Sequence, residues 1–178
     1  MERIRELRIL MKNIILIGMP ASGKSTVGVV LAKRLGYDFI DTDLLIQKQE
    51  GRLLKEIIED VGNDGFLDIE NQVNRDLIAD RSVISPGGSV VYCEEAMQHF
   101  KTIGKVIYLK VSYDTIRNRI ESAKNRGVVL KQGQTLKSLY DERIRLFEKY
   151  ADYTISEEGL NLEETIDEVM ELVKDILQ

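Results

Sequence analysis

Short apolar runs alternate along the chain with longer stretches in which apolar residues recur every three or four positions. This alternation indicates strand–helix units and a parallel sheet with helices on its faces. Residues 13–17 form an almost continuous apolar run, as expected for a central strand buried on both sides. In residues 24–35, apolar side chains recur at every fourth position from Val27 to Leu35, and Gly36 follows. This spacing predicts a helix that ends at the glycine.

The remaining apolar pattern predicts one α/β domain from residue 11 to residue 178. Residues 1–10 precede the first strand and are interpreted as an N-terminal appendage. Further strands are predicted at 38–40, 82–85 and 105–110, with an edge strand at 153–155. Further helices are predicted around Ile116 and Ile120, at 136–150 and at 162–177.

Two segments do not fit a simple strand–helix repeat. Residues 42–79 form a long helical region, interrupted near Gly51 and again at 62–65, with helically spaced apolar residues on each side. This region is too long for an ordinary crossover, so we interpret it as an inserted helical flap that binds a substrate. Residues 122–133 carry three Lys or Arg residues and little apolar periodicity, which predicts a mobile loop and a candidate lid.

Composition narrows the classes of function. The chain has 178 residues and a formal net charge of −5, which argues against a nucleic-acid partner. The single cysteine, Cys93, excludes an internal disulfide, and the single histidine, His99, leaves no zinc-type Cys/His cluster. We expect both to be solvated or half-buried helix residues. No apolar run approaches the ~20 residues of a membrane span. We therefore expect a cytoplasmic protein without a membrane partner; its oligomeric state stays open, with a monomer favoured.

Residues 18–25, Gly-Met-Pro-Ala-Ser-Gly-Lys-Ser, match the phosphate-binding P-loop pattern G-x-x-x-x-G-K-[ST]. The match lies between a predicted strand and a predicted helix, which argues against a chance glycine turn. Gly18 and Gly23 allow the backbone to curl so that its N–H groups point at phosphate oxygens. Lys24 can reach the β- and γ-phosphates, and the Ser25 hydroxyl suits Mg²⁺. The predicted nucleotide-binding residues here are Gly18, Ala21, Ser22, Gly23, Lys24, Ser25 and Thr26.

An acidic pair follows the second predicted strand. Asp41 and Asp43 are two residues apart, so in an extended chain both side chains face the same way. Ligands of such folds bind beyond the carboxyl ends of the strands. We expect Asp41 to hold Mg²⁺ through water and Asp43 to accept a proton from a substrate hydroxyl or to position that hydroxyl. The alternative is that Asp41 caps the next helix, and the two roles are compatible.

Several motifs together resemble the shikimate kinase family of small P-loop kinases. They are the P-loop, the Asp41-Thr42-Asp43 pair, the 62–70 segment, Pro86-Gly87-Gly88, the Arg119 and Arg126 spacing and the 140–147 segment. They cover most of the chain, from about residue 13 to residue 155. The resemblance implies a P-loop kinase fold with a five-stranded parallel sheet. It also implies ATP-dependent, Mg²⁺-assisted phosphoryl transfer to a hydroxyl of shikimate, a small hydroxylated acceptor, under a closing lid.

The resemblance also implies roles for individual residues. Lys24 and Asp43 take catalytic roles, and Arg126 corresponds to a lid arginine that reaches the phosphates. Arg119 corresponds to a residue that packs on adenine. The glycine turn at residues 87–88 corresponds to the wall of the acceptor site, formed by Gly87 and Gly88. Arg143 corresponds to an arginine that binds the shikimate carboxylate. Without the resemblance, the three arginines would be interpreted as solvated charges.

The chain departs from the family pattern in the flap. The family usually has Phe-Arg-x-x-Glu, whose arginine completes the carboxylate clamp, whereas this chain has Phe66-Leu67-Asp68-Ile69-Glu70. Loss of such a charge-assisted hydrogen bond costs about 1.5 to 3 kcal/mol. Either another arginine substitutes, with Arg52 and Arg75 nearest in sequence, or the acceptor is not shikimate.

Three functions therefore stay open at this point. The first is a shikimate-kinase-type enzyme. The second keeps the fold but phosphorylates another small polyol, a hydroxy acid or a nucleoside monophosphate, and the leucine in the flap motivates it. The third is a nucleotide-binding regulatory module, against which the second carboxylate and the lid arginines weigh. Shikimate-dependent ADP release separates the first from the other two.

Overall fold

Five parallel strands form the sheet in the computed structural model, which describes residues 13–122 and 133–177. Their order across the sheet is β2-β3-β1-β4-β5. The strands are β1 (Asn13–Ile17), β2 (Asp38–Asp41), β3 (Ser82–Ser85), β4 (Gly104–Lys110) and β5 (Tyr153–Ser156). The strand predicted for residues 13–17 is thus the central one, and the predicted edge strand lies at one edge.

Helices connect the strands and cover both faces of the sheet. They are α1 (Lys24–Leu35), α2 (Thr42–Glu50), α3 (Leu54–Arg75), α4 (Glu94–Ile103), α5 (Tyr113–Ser122), α6 (Leu136–Tyr150) and α7 (Leu162–Leu177), with a 3₁₀ turn at Val90–Tyr92. The helices predicted at 24–35, 136–150 and 162–177 have the predicted bounds. None of the described helices is both long and apolar enough to cross a membrane. The predicted appendage, residues 1–10, lies outside the described residues.

The sheet divides the core into two apolar clusters. Because side chains alternate along a strand, Ile14 and Leu16 of β1 face α1 and α7, whereas Ile15 and Ile17 face α4 and α6. All four are at most 1 % exposed. Burial on both faces explains why this strand is apolar throughout rather than alternating. The carboxyl end of β1 is therefore held firmly where the P-loop begins.

Helices α2 and α3 form the flap-like insertion between β2 and β3. Gly51 ends α2 in the left-handed conformation, with φ 65°, and Gly62 bends α3 with φ 73° and ψ 178°. The predicted interruptions are confirmed at these two glycines, while α3 continues through residue 65. Ile46, Ile57 and Phe66 form a small core of their own within the insertion. This insertion therefore packs as a unit beside the sheet.

Candidate active site

The P-loop leaves the carboxyl end of β1 and ends in the first turn of α1. Its backbone has positive φ angles at Gly18 (158°), Ala21 (64°) and Gly23 (91°), and the last of these caps α1. The Lys24 ammonium donates hydrogen bonds to the backbone oxygens of Gly18 (3.0 Å) and Met19 (2.8 Å). The lysine is therefore held inside the curve of the loop, beside the start of the helix where anions bind.

Lys24 and Ser25 sit in different environments although they are neighbours. Lys24 is 8 % exposed, and its burial lowers the pKa of its ammonium group to about 8. The Ser25 side chain instead reaches outward, and its Oγ donates to Asp41 Oδ2 at 3.4 Å. The Ser25 hydroxyl and the Asp41 carboxylate are oxygen ligands of the kind that Mg²⁺ prefers, so they suit a magnesium ion.

Asp41 and Asp43 both line the cavity, but strand alternation is not what brings them together. Asp41 is the last residue of β2 and caps α2, because its Oδ1 accepts from the backbone N–H groups of Asp43 (3.0 Å) and Leu44 (3.4 Å). Asp43 lies in the first turn of α2 rather than in an extended chain. The helical turn, not strand alternation, brings its carboxylate into the site. Capping and the contact with Ser25 coexist at Asp41.

One cavity of about 750 Å³ joins the P-loop to the flap and to α6. The predicted site residues that line it are Ala21, Gly23, Lys24, Ser25, Thr26, Asp41, Asp43, Gly87, Gly88 and Arg143. Gly18 and Ser22 support the loop from behind, since the Ser22 side chain is buried and lies 3.5 Å from the Lys24 ammonium. The structure therefore gathers residues from distant parts of the sequence around a single space.

Gly87 forms the wall between two carboxyl groups. A Cβ atom on this residue would lie 2.8 Å from Asp43 Oδ1 and 2.8 Å from Glu70 Oε1, so no larger residue fits without displacing them. Gly88 is similarly close to the P-loop and to α6: a Cβ there would lie 2.8 Å from Pro20 Cδ and 3.3 Å from Arg143 Nη1. These glycines thus allow the acids and the arginine to approach the P-loop.

Glu70 is a buried acid that the sequence interpretation did not assign to the site. It is 0 % exposed, and its Oε2 accepts a hydrogen bond from the Ser89 hydroxyl at 2.6 Å. Burial raises the pKa of its carboxyl group to about 7 and that of Asp43 to about 6. A signal was present, because Glu70 falls one turn after Phe66, within the apolar stripe of its helix.

Arg143 supplies the guanidinium on the acceptor side of the cavity. It is 6 % exposed on α6, and its guanidinium lies over the Tyr92 ring, 5.4 Å from the centroid. Leu67 lines the same cavity. Arg52 pairs with Asp60 and Arg75 pairs with Asp76 and Glu95, all at exposed positions. Neither of these arginines lines the cavity, so neither takes the place of the residue missing at position 67.

The arginines predicted for the nucleotide side have different outcomes. Arg119 donates to the Ala21 backbone oxygen at 3.1 Å and pairs with Glu157 at 3.4 Å, which places it against the P-loop. Arg126 and most of the predicted lid, residues 123–132, lie outside the described residues. The sequence interpretation assigned nothing to Glu157, although its carboxylate fixes the position of Arg119. The packing of Arg119 on adenine and the lid role of Arg126 stay predictions.

Cys93 and His99 take no part in the cavity. Cys93 caps α4 and is buried, rather than solvated or half-buried as expected, and burial raises the pKa of its thiol to about 12. His99 is half-buried and lies 2.7 Å from the Leu77 backbone oxygen. Within residues 13–122 and 133–177, no group of three or more His, Cys, Asp or Glu side chains forms a metal site. His99 is thus a half-buried helix residue, as expected.

A P-loop that shares one cavity with a buried carboxylate and a buried guanidinium defines a kinase that acts on a small molecule. Comparison with known proteins agrees with this class. The family model described as shikimate kinase matches residues 20–174, so the chain belongs to the shikimate kinase family. The fold inferred from the resemblance, a five-stranded parallel sheet flanked by helices, is confirmed.

Curated relatives and solved structures match over most of their lengths. The chain is 37% identical over 163 residues to the shikimate kinase of Thermodesulfovibrio yellowstonii, covering 90% of this chain and 94% of the relative. It is 35% identical over 161 residues to the shikimate kinase of Persephonella marina, with coverages of 90% and 98%. The solved shikimate kinase of Acinetobacter baumannii in complex with shikimate superposes with a TM-score of 0.81 at 29% identity, covering 97% and 96%.

Proposed function

We propose that the chain transfers the γ-phosphoryl group of ATP to a hydroxyl of shikimate with the help of Mg²⁺. The observation that supports this most is the cavity that Lys24, Asp43 and Arg143 line together. A phosphate-binding loop and a guanidinium that suits a carboxylate then share one cavity with an acid. Shikimate carries ring hydroxyls and one carboxylate, which matches this arrangement of groups.

In the proposed reaction, the acceptor oxygen forms a bond to the γ-phosphorus while the bond to the bridging oxygen of ADP breaks. Asp43 accepts the proton that leaves the acceptor hydroxyl. The pKa of about 6 leaves this carboxyl mostly ionised at pH 7, yet close enough to neutrality to act as a general base. The Lys24 ammonium stabilises the charge on the transferring phosphoryl group.

Mg²⁺ would neutralise the phosphate charges when bound. Ser25 would hold it directly and Asp41 through water, since both oxygens line the cavity at the edge of the P-loop. Asp41 is available for this because its capping bonds use Oδ1 and leave Oδ2 toward Ser25. Its second role is to start α2 at the residue that positions Asp43 in the first helical turn.

The remaining assignments complete the proposal. Arg143 binds the acceptor carboxylate, the flap at about residues 42–79 covers the acceptor, and residues 122–133 close as a lid that brings Arg126 to the phosphates. Arg119 packs on the base. The flap assignment is supported by Leu54, Ile58 and Phe66, which line the cavity from α3. Use of ATP fits the expected cytoplasmic location. The cavity is lined by residues of one chain, and we keep a monomer as part of the proposal.

The test is ADP release by the purified chain with Mg²⁺ and ATP, with and without shikimate. We expect turnover that depends on shikimate. Absence of shikimate-dependent ADP release by folded protein would overturn the proposed acceptor. Leu67 favours one second candidate, a kinase for an uncharged polyol, because only one guanidinium lines the cavity in the described part of the chain. Faster turnover of such polyols than of shikimate would support that candidate instead.

A further inference from the structure

Two carboxyl groups lie close together at the acceptor side: Asp43 lines the cavity, and Glu70 is buried against Gly87. Arg143 is the guanidinium that lines this side in the described part of the chain. Asp43 Oδ1 and Glu70 Oε1 each lie 2.8 Å from the position of a Cβ on Gly87, so they can be no farther apart than twice that distance. Both oxygens are buried, and neither has a hydrogen-bond partner among the described residues. Two carboxylates this close in a buried site cannot both ionise without a large cost.

No cation pairs with Glu70 in the part of the chain that the structure describes. The charged or titratable groups that influence it are Asp43 on α2, Arg143 on α6 and the Cys93 thiol before α4. Burial raises the pKa of that thiol to about 12, so it adds no charge near neutrality. The Arg143 guanidinium lowers the pKa of Glu70 through its charge, but the two groups form no salt bridge among the described residues. The Ser89 hydroxyl donates to Oε2 but carries no charge. Leu67, three residues before Glu70, offers no charge at all.

We propose that Glu70 is a positioning residue held as the neutral acid beside Asp43, so that the cavity presents one negative charge rather than two to an anionic acceptor. The inference rests on the proposed function, because it concerns the affinity for an acceptor that carries a carboxylate. The inference also explains why Leu67 matters. Because position 67 carries no cation, the charge balance at the acceptor side of the cavity depends on the proton of Glu70. Ionisation of Glu70 then repels the acceptor carboxylate that Arg143 binds.

The test compares the native chain with Glu70→Gln, which imitates the neutral acid in size and shape. Asp68→Asn is the matched control, an exposed acid on the same helix. The Michaelis constant for shikimate is measured from pH 6 to pH 8.5 at saturating Mg²⁺ and ATP. At pH 6 we expect the native chain and Glu70→Gln to agree within about twofold, since both are neutral at position 70.

At pH 8.5 we expect the native Michaelis constant to exceed that of Glu70→Gln by about tenfold, with Asp68→Asn following the native chain throughout. A Michaelis constant that Glu70→Gln raises equally at pH 6 and pH 8.5 would overturn the inference. So would equal values for the two chains at every pH. If the native chain releases no shikimate-dependent ADP at any pH, the proposed function fails instead.

A second measurement does not depend on turnover. Infrared spectra of the native chain at pH 6 should contain the carbonyl band of a protonated carboxyl group that Glu70→Gln lacks and that disappears by pH 8.5. Ser89→Ala removes the donor that favours the charged form, so we expect this band to persist to higher pH. Absence of the band from the native chain at pH 6 would show that Glu70 is ionised and would contradict the inference, even if Glu70→Gln did not fold.

Discussion

The two ends of the cavity satisfy their polar groups in different ways. At the P-loop, the Lys24 ammonium bonds to backbone oxygens of its own loop and the Ser25 hydroxyl bonds to Asp41. At the acceptor end, Asp43 Oδ1, Glu70 Oε1 and the Arg143 Nε are buried without partners among the described residues. Buried polar atoms without partners are costly, so the acceptor end stores free energy that a ligand with matching groups releases.

This difference separates a site built by local sequence from one built by packing. The partners of Lys24 lie within six residues of it. The acceptor end instead gathers Asp43 from α2, Glu70 from α3 and Arg143 from α6 around Gly87 and Gly88. A change at the first end is therefore expected to affect every acceptor, and a change at the second end to alter acceptor recognition. The following predictions test that distinction.

The largest expected effect comes from Asp43, the acid of the acceptor end whose charge acts on Lys24. Asp43→Asn removes the group that accepts the acceptor proton, so kcat should fall by about 10²–10⁴-fold. ATP binding, measured by titration calorimetry, should change little because Asp43 does not contact the P-loop through a hydrogen bond. Lys24→Ala should instead weaken both ATP binding and turnover, with kcat lower by roughly 10²–10³-fold. Comparable losses of ATP affinity in both variants would contradict the separation of the two ends.

The stored free energy at the acceptor end should be measurable as stability. Glu70 has a pKa near 7 in the folded chain and about 4.5 when unfolded. The folded chain therefore binds more protons between these values, and its stability falls as pH rises through them. Gln at position 70 does not titrate. The native chain should therefore lose stability between pH 5 and pH 8, whereas Glu70→Gln should not lose this contribution. We expect the difference in the free energy of unfolding, variant minus native, to increase by on the order of 2 to 3 kcal/mol over this range.

Urea unfolding at the two pH values measures this difference. Asp68→Asn, exposed on the same helix, should show no such growth. A stability difference independent of pH would mean that Glu70 titrates as it does in the unfolded chain, against the burial argument. A variant that is more stable at pH 8 would show that the acid is retained at a cost to the fold, as is common in functional sites.

The sequence predicted the P-loop end of the cavity better than the acceptor end. Gly18 to Ser25 act through their own backbone and immediate neighbours, so the motif alone predicted the loop and the helix that follows. Strand alternation predicted that Asp43 and Asp41 point into one site, whereas Asp43 lines the cavity from the first turn of α2. The start of α2 directly after β2 leaves no separate pattern in the sequence. The sequence left open whether Asp41 caps a helix or holds the metal through water. The hydrogen bonds to Asp43 and Leu44 show that it caps α2, and they do not test the metal role.

The rest could not be predicted because it depends on long-range contacts. Glu70 lies beside Gly87 because α3 packs against α4 and the 3₁₀ turn at Val90–Tyr92, and the spacing of the two residues in the sequence does not predict this contact. Arg52 and Arg75 were plausible substitutes for the arginine absent at position 67 by sequence distance alone. Their exposed partners, Asp60 for one and Glu95 for the other, hold them away from the cavity. The fold itself was predictable because apolar periodicity is a local signal.

Removal of the Arg143 guanidinium tests the acceptor end of the cavity, which is assembled by packing between distant segments. Arg143→Met should raise the Michaelis constant for shikimate by roughly 10- to 100-fold, the usual effect of losing a charge-assisted hydrogen bond. Arg145→Met is a matched control, because Arg145 lies on the same helix but is exposed. ATP affinity should be unchanged in both variants. An uncharged polyol acceptor should be insensitive to Arg143→Met, and a loss with that acceptor as well would indicate a structural role.

The smallest expected effect is that the two ends of the cavity titrate in opposite directions. Asp43 must be ionised to accept a proton, and its raised pKa means that the ionised fraction falls as pH drops below about 6. There kcat should fall about tenfold for each pH unit. Lys24 must be protonated to bind phosphate, and its lowered pKa means that this charge is lost as pH rises through about 8. ATP affinity, measured by calorimetry, should therefore weaken on the alkaline side.

The Asp43→Asn variant shows which group causes each pH dependence, the fall of kcat on the acid side and the loss of ATP affinity on the alkaline side. Asp43→Asn should retain the alkaline loss of ATP affinity while its residual turnover no longer falls on the acid side. An acid limb that survives in Asp43→Asn would belong to another group, and Asp43 would then be a hydroxyl-positioning residue rather than the base. An alkaline loss of ATP affinity centred well above about 8, near the ordinary lysine value of 10.5, would show that Lys24 is better hydrated than its burial implies. The two ends would then differ in hydration as well as in their hydrogen bonds, because the polar groups of the acceptor end are buried.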